Sequence, residues 1–175
     1  MQQSLKSKLV PFSLTAAVLL LDQLTKYLIT RFVDPYTEII NIAGDFLRII
    51  HARNPGIAFS IGSGLPDLVR SIFFTALPLI VLAFVLIYYF RSQDVTGLQR
   101  WSLAAIVGGG LGNLIDRIFR PEGVVDFIDV KFYGLLGFER WPTFNVADAT
   151  VVVAGILLVF SLFIQDFQKK SENKD

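Results

Sequence analysis

Asp126 and Asp148 are carboxylates set in apolar runs without a basic neighbour, within Val124-Val125-Asp126-Phe127-Ile128 and Val146-Ala147-Asp148-Ala149. Two acids in dry surroundings that meet in space share a proton, because both cannot readily ionise. One can then draw a proton from water while its protonated partner polarises a carbonyl, which is hydrolysis by paired carboxylates. Buried acids beside a Lys or Arg equally describe a proton path through a membrane. Asp22, Lys26, Asp116 and Arg117 also lie inside hydrophobic stretches. An ionised side chain in hydrocarbon costs on the order of 2.5–3.5 kcal/mol by insertion assays, so each needs a partner or a task. Asp22 and Lys26, spaced i, i+4, share a helix face and are expected to pair. Asp116 and Arg117 are expected to form a second structural pair.

Composition limits the other chemistries. Of 175 residues, 53% are hydrophobic and 18% charged, and the mean hydropathy is +0.57. That is more apolar than a soluble domain, where about 25% of residues are charged. A net charge of +1 gives no basic surface for nucleic acid. Cysteine is absent and His51 is the one histidine, so thiolate nucleophiles and His/Cys metal sites are excluded. Neither a metal nor a cofactor is expected.

Hydropathy gives four spans, near residues 10–33, 71–90, 98–119 and 146–165. The second is twenty residues without a charge, Ser71 to Phe90, which matches the roughly 20 needed to cross the hydrocarbon. Pro78 inside it is expected to bend the helix. Gly108 and Gly112 in the third span fit the small-xxx-small pattern of close helix approach. The first span is followed by no small-x-small cleavage site, so it reads as a retained span rather than a cleaved leader. The whole chain is taken as one integral membrane domain, 1–175, with outer loops near 34–69 and 120–144. Lys6, Lys8, Arg91, Arg100, Lys169, Lys170 and Lys174 fall in the short inner segments, which places both termini in the cytoplasm.

In that topology the outer ends of the first, third and fourth spans bring together Asp22, Lys26, Asn113, Asp116, Arg117, Asn145 and Asp148. Asn54 and Asp126 join them from the two outer loops. No continuous polar line runs to the cytoplasmic side, which disfavours the proton path. Asp45 to Arg53 alternates in parts, and Leu47, Ile49, Ile50, Phe59 and Ile61 suit a small sheet on the membrane surface. Phe132 to Trp141 reads as an interfacial aromatic segment, as flap or anchor. The polar tail from Gln168 to Asp175 is expected to be disordered.

These motifs also carry a resemblance. Asp22-Gln23-Leu24-Thr25-Lys26, Asn54-Pro55-Gly56-Ile57-Ala58-Phe59, Gly112-Asn113-Leu114-Ile115-Asp116-Arg117, Val125-Asp126-Phe127 and Phe144-Asn145-Val146-Ala147-Asp148 resemble, in order and spacing, the signal peptidase II family. The resemblance covers nearly the whole chain. Pro55 departs from it, standing where many members have a small or hydroxylated residue. The resemblance implies an all-α membrane protein of four helices with a small extracytoplasmic β element in the first outer loop. It implies an intramembrane aspartic endopeptidase of the bacterial inner membrane, cleaving diacylglyceryl-modified prolipoproteins before the lipidated cysteine. Asp126 and Asp148 match the catalytic pair, while Asn54, Asn113, Arg117 and Asn145 match residues lining the site. Asp22, Lys26 and Asp116 match supporting positions. The expected partners are the prolipoprotein and membrane lipids, for a monomer with its active site near the outer leaflet.

Overall fold

The structure, a computed structural model, describes residues 5–56, 66, 68–69 and 72–172. Phe59 and Ile61, expected in the sheet, lie outside the described residues. Among these residues four helical stretches are long and apolar enough to cross a membrane: Leu5–Phe32, Ile72–Arg91, Gly97–Phe119 and Val146–Ser171.

The first stretch is broken near its start. A short helix α1 (Leu5–Leu9) gives way at Val10-Pro11 to α2 (Phe12–Phe32). The second opens as a π-helical turn, Ile72–Ala76, and continues as α3 (Leu77–Arg91). Pro78 sits in the first turn of α3, where its missing N–H breaks no ladder bond. The irregularity expected at Pro78 is therefore met just before it, in the π turn. Helix α4 (Gly97–Phe119) begins at a capping box in which Thr96 and Gln99 satisfy each other's free amides, which fixes where it starts. Helix α5 (Val146–Glu172) continues through most of the tail expected to be disordered. Lys170 pairs with Asp166 at 2.6 Å, an i, i+4 contact that supports those last turns.

Helix α4 is the centre of the bundle and packs against α2, α3 and α5. Its glycines make that possible. A Cβ at Gly108 would stand 3.0 Å from the Thr15 carbonyl oxygen, and one at Gly109 would stand 2.6 Å from the Ala147 carbonyl oxygen. Helices α2 and α5 thus approach α4 more closely than any larger residue permits.

One end of the bundle is covered by a three-stranded antiparallel sheet in the order β1 (Glu38–Ile42), β2 (Leu47–Asn54), β3 (Val124–Val130). Strand β2 falls on the expected Asp45–Arg53 stretch between the first two spans, whereas β1, just before it, was not foreseen. The third comes from the second loop, so the sheet staples the two loops together. Val125 and Phe127 from β3 pack with Ile29 and Val33 at the end of α2, seating the sheet on the bundle. Asp129, almost fully buried, is held between Arg48 and Arg140, each at 2.7 Å. This pins β2, β3 and the chain beyond Glu139 to one another. Between them the aromatic segment turns through Leu135–Gly137, with Tyr133, Leu135 and Leu136 exposed.

Candidate active site

The β2–β3 register sets Asn54 opposite Val124 and Ala52 opposite Asp126. Side chains two apart on a strand share a face, so Asn54 and Asp126 point the same way. Asn54 Nδ2 donates to Asp126 Oδ2 at 3.0 Å. Gly123 makes the turn into β3 with φ +97°, and a Cβ there would collide with the Asn54 carbonyl. Only glycine combines that conformation with that approach.

Asp148 is the third residue of α5, and Asn145 is its N-cap. The Asp148 amide donates to Asn145 Oδ1 at 2.9 Å, and the Asn145 amide donates to Asp148 Oδ2 at 3.1 Å. This is a reciprocal capping box with an aspartate in the place of the usual glutamate. Accepting the backbone amide turns the Asn145 side-chain NH2 the other way. It donates to Asp126 Oδ1 at 2.8 Å and to Asn113 Oδ1 at 3.0 Å. Asn113 Nδ2 in turn donates to Asp148 Oδ1 at 2.7 Å. The two aspartates are thereby held by a common set of amides, with Asn145 touching both.

Behind them lies a buried ionic cluster. Lys26 Nζ contacts Asp22 Oδ2 at 2.9 Å, Asp116 Oδ2 at 3.0 Å and Asn113 Oδ1 at 2.9 Å. Asp116 also meets Arg120 at 3.3 Å, and Gln23 donates to Asp22 and Asp116 at 3.2 Å each. The expected Asp22–Lys26 pair is present. The expected Asp116–Arg117 pair is not, because adjacent helical residues point in different directions. Arg117 Nη2 instead donates to the Gly56 carbonyl at 2.9 Å, and its guanidinium lies 5.5 Å from the Phe74 ring centre. Gln23 and Arg120 are polar members of the site that sequence reasoning missed. Gln23 stands inside the Asp22–Lys26 motif, and Arg120 is i, i+4 from Asp116.

A cavity of about 600 Å³ opens in front of the pair. Asn54, Asn113, Arg117, Asp126 and Asp148 form its polar end, and Val151, Val152 and Val153 continue it along α5. Trp141, Pro142, Thr143 and Phe144 form the wall where the loop between α4 and α5 returns. Asn145, Asp22, Lys26 and Asp116 are buried behind that surface. Burial first, and the charge of Asp148 second, push the Asp126 carboxyl up to about 7, against hydrogen bonds from Asn54 and Asn145 that lower it. A carboxyl in that range can hold a proton near neutral pH and give it up, as acid–base catalysis requires. The arrangement can activate a water and polarise a carbonyl at the mouth of an apolar channel.

Comparison with known proteins agrees with the layout. A sequence model of the Signal peptidase (SPase) II family matches residues 14–164. The lipoprotein signal peptidase of Treponema pallidum is 44% identical over 95% of this chain and 90% of its own length. That of Treponema denticola is 46% identical over 94% of this chain and 95% of its own. A bacterial membrane enzyme solved by the in meso method at 2.3 Å superimposes with a TM-score of 0.76 at 27% identity, over 99% of this chain and 94% of that one. On this evidence the chain, a multi-pass membrane protein, belongs to the signal peptidase II family.

Proposed function

We propose that this peptidase removes the signal peptide of prolipoproteins by an aspartic mechanism in which Asp126 and Asp148 are the catalytic pair. The observation that carries this is their joint attachment to Asn145 at the polar end of an otherwise apolar cavity. The deprotonated aspartate takes a proton from water as the water oxygen attacks the scissile carbonyl carbon. The protonated aspartate hydrogen-bonds to the carbonyl oxygen as negative charge develops there. Collapse of the tetrahedral intermediate breaks the C–N bond, and the leaving amine takes a proton from the pair. No covalent intermediate with the enzyme forms.

The substrate is read as a diacylglyceryl-modified prolipoprotein cut just before its lipidated cysteine. The valine wall along α5 suits an apolar signal helix or acyl chain, and Asn54 and Arg117 are placed to orient the backbone beside the scissile bond. The chain is placed in the bacterial inner membrane as a monomer surrounded by lipid. Both termini lie in the cytoplasm, following the basic inner segments, and the sheet and carboxylates stand at the outer leaflet. Purified protein in detergent, given a diacylglyceryl-modified prolipoprotein, tests the reading. Cleavage by the parent that disappears in Asp126→Asn and in Asp148→Asn supports it. Cleavage retained by either folded variant refutes the pair.

A further inference from the structure

Lys26 is fully buried, and its ammonium has three N–H bonds and three acceptors, Asp22, Asp116 and Asn113. Each acceptor leads to one of the two aspartates. Asp22 Oδ1 accepts the amide of Ala147 at 3.0 Å, the residue immediately before Asp148. Asp116 Oδ2 accepts the amide of Val125 at 3.2 Å, the residue immediately before Asp126. Asn113 donates directly to the Asp148 carboxylate at 2.7 Å. Lys26 itself is absent from the cavity wall.

We propose that Lys26 is a positioning residue for the carboxylate pair, fixing the backbone before each aspartate through Asp22 and Asp116 and orienting the Asn113 amide toward Asp148. The inference rests on Asp126 and Asp148 being the catalytic pair. The orientation of Asn113 follows from donor and acceptor chemistry. An ammonium only donates and a carboxylate only accepts, so Asn113 must turn its oxygen to Lys26 and its NH2 to Asp148. Without the ammonium, Asn113 loses one of the two donors, Lys26 and Asn145, that hold its oxygen away from Asp148. Asp22 and Asp116 would also repel each other and loosen both backbone anchors. The charged groups around Lys26 are Asp22 on its own helix and Asp116 from α4, with Asp126 from β3 and Asp148 from α5 further out, while Arg120, just beyond α4, pairs with Asp116.

A bland alternative is that Lys26 only neutralises buried carboxylates, and the test separates the two. Lys26→Met leaves two buried acids without their cation and is expected to lower thermal stability. In Lys26→Met/Asp22→Asn one positive and one negative charge are removed together, so the net charge of the cluster is kept. With a diacylglyceryl-modified prolipoprotein in detergent, this double variant is expected to melt near the parent temperature. Its kcat should fall roughly 10- to 100-fold with KM little changed, the size of loss that an ångström of misplacement causes. A kcat within about threefold of the parent overturns the inference, because charge balance alone would then suffice. If the double variant does not fold, Asn113→Ala, which leaves both Lys26 ion pairs intact, decides instead, and an undiminished kcat there overturns it. Asp126→Asn and Asp148→Asn run alongside keep the two readings apart. If either still cleaves, the catalytic pair itself is wrong. If both are dead and the Lys26 double variant is unimpaired, only the positioning role is wrong.

Discussion

Asn145 and Asp148 hold each other at the first turn of α5, each amide donating to the other's side-chain oxygen at 2.9 and 3.1 Å. The structural cap and the polar core of the site are therefore the same few atoms. The two roles separate by substitution. Asn145→Ser keeps a capping oxygen for the Asp148 amide but removes the NH2 that reaches Asp126 and Asn113. It is expected to melt close to the parent and to lose kcat on the order of 100-fold, in line with the loss of one well-placed polar donor. Asn145→Ala loses both functions and should also cost about 1 kcal/mol in stability. Thermal melts and initial rates on the same preparations check both outcomes.

The raised carboxyl of Asp126 gives a pH dependence of known direction. Its pKa of about 7 in the folded protein, against 3.8 as a free side chain, means that the folded state holds the proton more tightly than the unfolded one. The stability that this contributes is complete below about pH 4 and is lost as pH rises through about 7. Asp126→Asn cannot lose a proton there. Its melting temperature relative to the parent should therefore rise between pH 5 and pH 8, by the equivalent of about 1–3 kcal/mol. The parent's kcat should decline above about pH 7 to 8, as the pair loses its shared proton.

Gly112 faces the ionic cluster directly. A Cβ there would stand 2.6 Å from Asp22 Oδ2 and 3.3 Å from the Ala147 side chain. Gly112→Ala must push Asp22 away from Lys26 or force α4 and α5 apart. A loss of about 1–3 kcal/mol is expected, with activity reduced at temperatures where the protein remains folded. A control at Gly155, where a Cβ meets nothing within 4 Å, should leave activity unchanged.

Arg117 reaches a loop carbonyl and an aromatic ring rather than either aspartate. Arg117→Lys keeps the charge but loses the planar group that lies against Phe74 while donating to Gly56. It is expected to raise KM several-fold with a smaller change in kcat, as measured by full saturation curves. A selective fall in kcat would instead place Arg117 at the reacting atoms.

Much of this was readable in the residues. The i, i+4 spacing of Asp22 and Lys26 foretold their pairing, and the isolation of Asp126 and Asp148 from basic neighbours foretold two acids sharing a polar environment. Asp116 and Arg117 misled because adjacency along a helix was taken for proximity, although such neighbours diverge around the axis. The partners of Asp116 are Lys26 from another span, which only packing reveals, and Arg120 one helical turn on. Strand β3 was legible and passed over, since Gly123 followed by Val-Val-Asp-Phe-Ile-Asp-Val is a turn residue before a β-branched run. The clamp of Arg48 and Arg140 on Asp129 joins residues from two separate loops and left no local trace. The helical tail was missed because its polar composition outweighed the Asp166–Lys170 spacing.

The Asp22–Lys26 contact lies within one helix turn of α2, and this bears on how the protein is assembled. The first span carries the counter-charge of Lys26 one turn away, so this ammonium has a partner before any other helix has arrived. Asp116, Asp126 and Asp148 come later in the chain, on the third span, the strand that follows it and the fourth span. Without the fourth span there is no Asn145 and no Asp148, so the amide network around Asp126 closes only when α5 packs against α4.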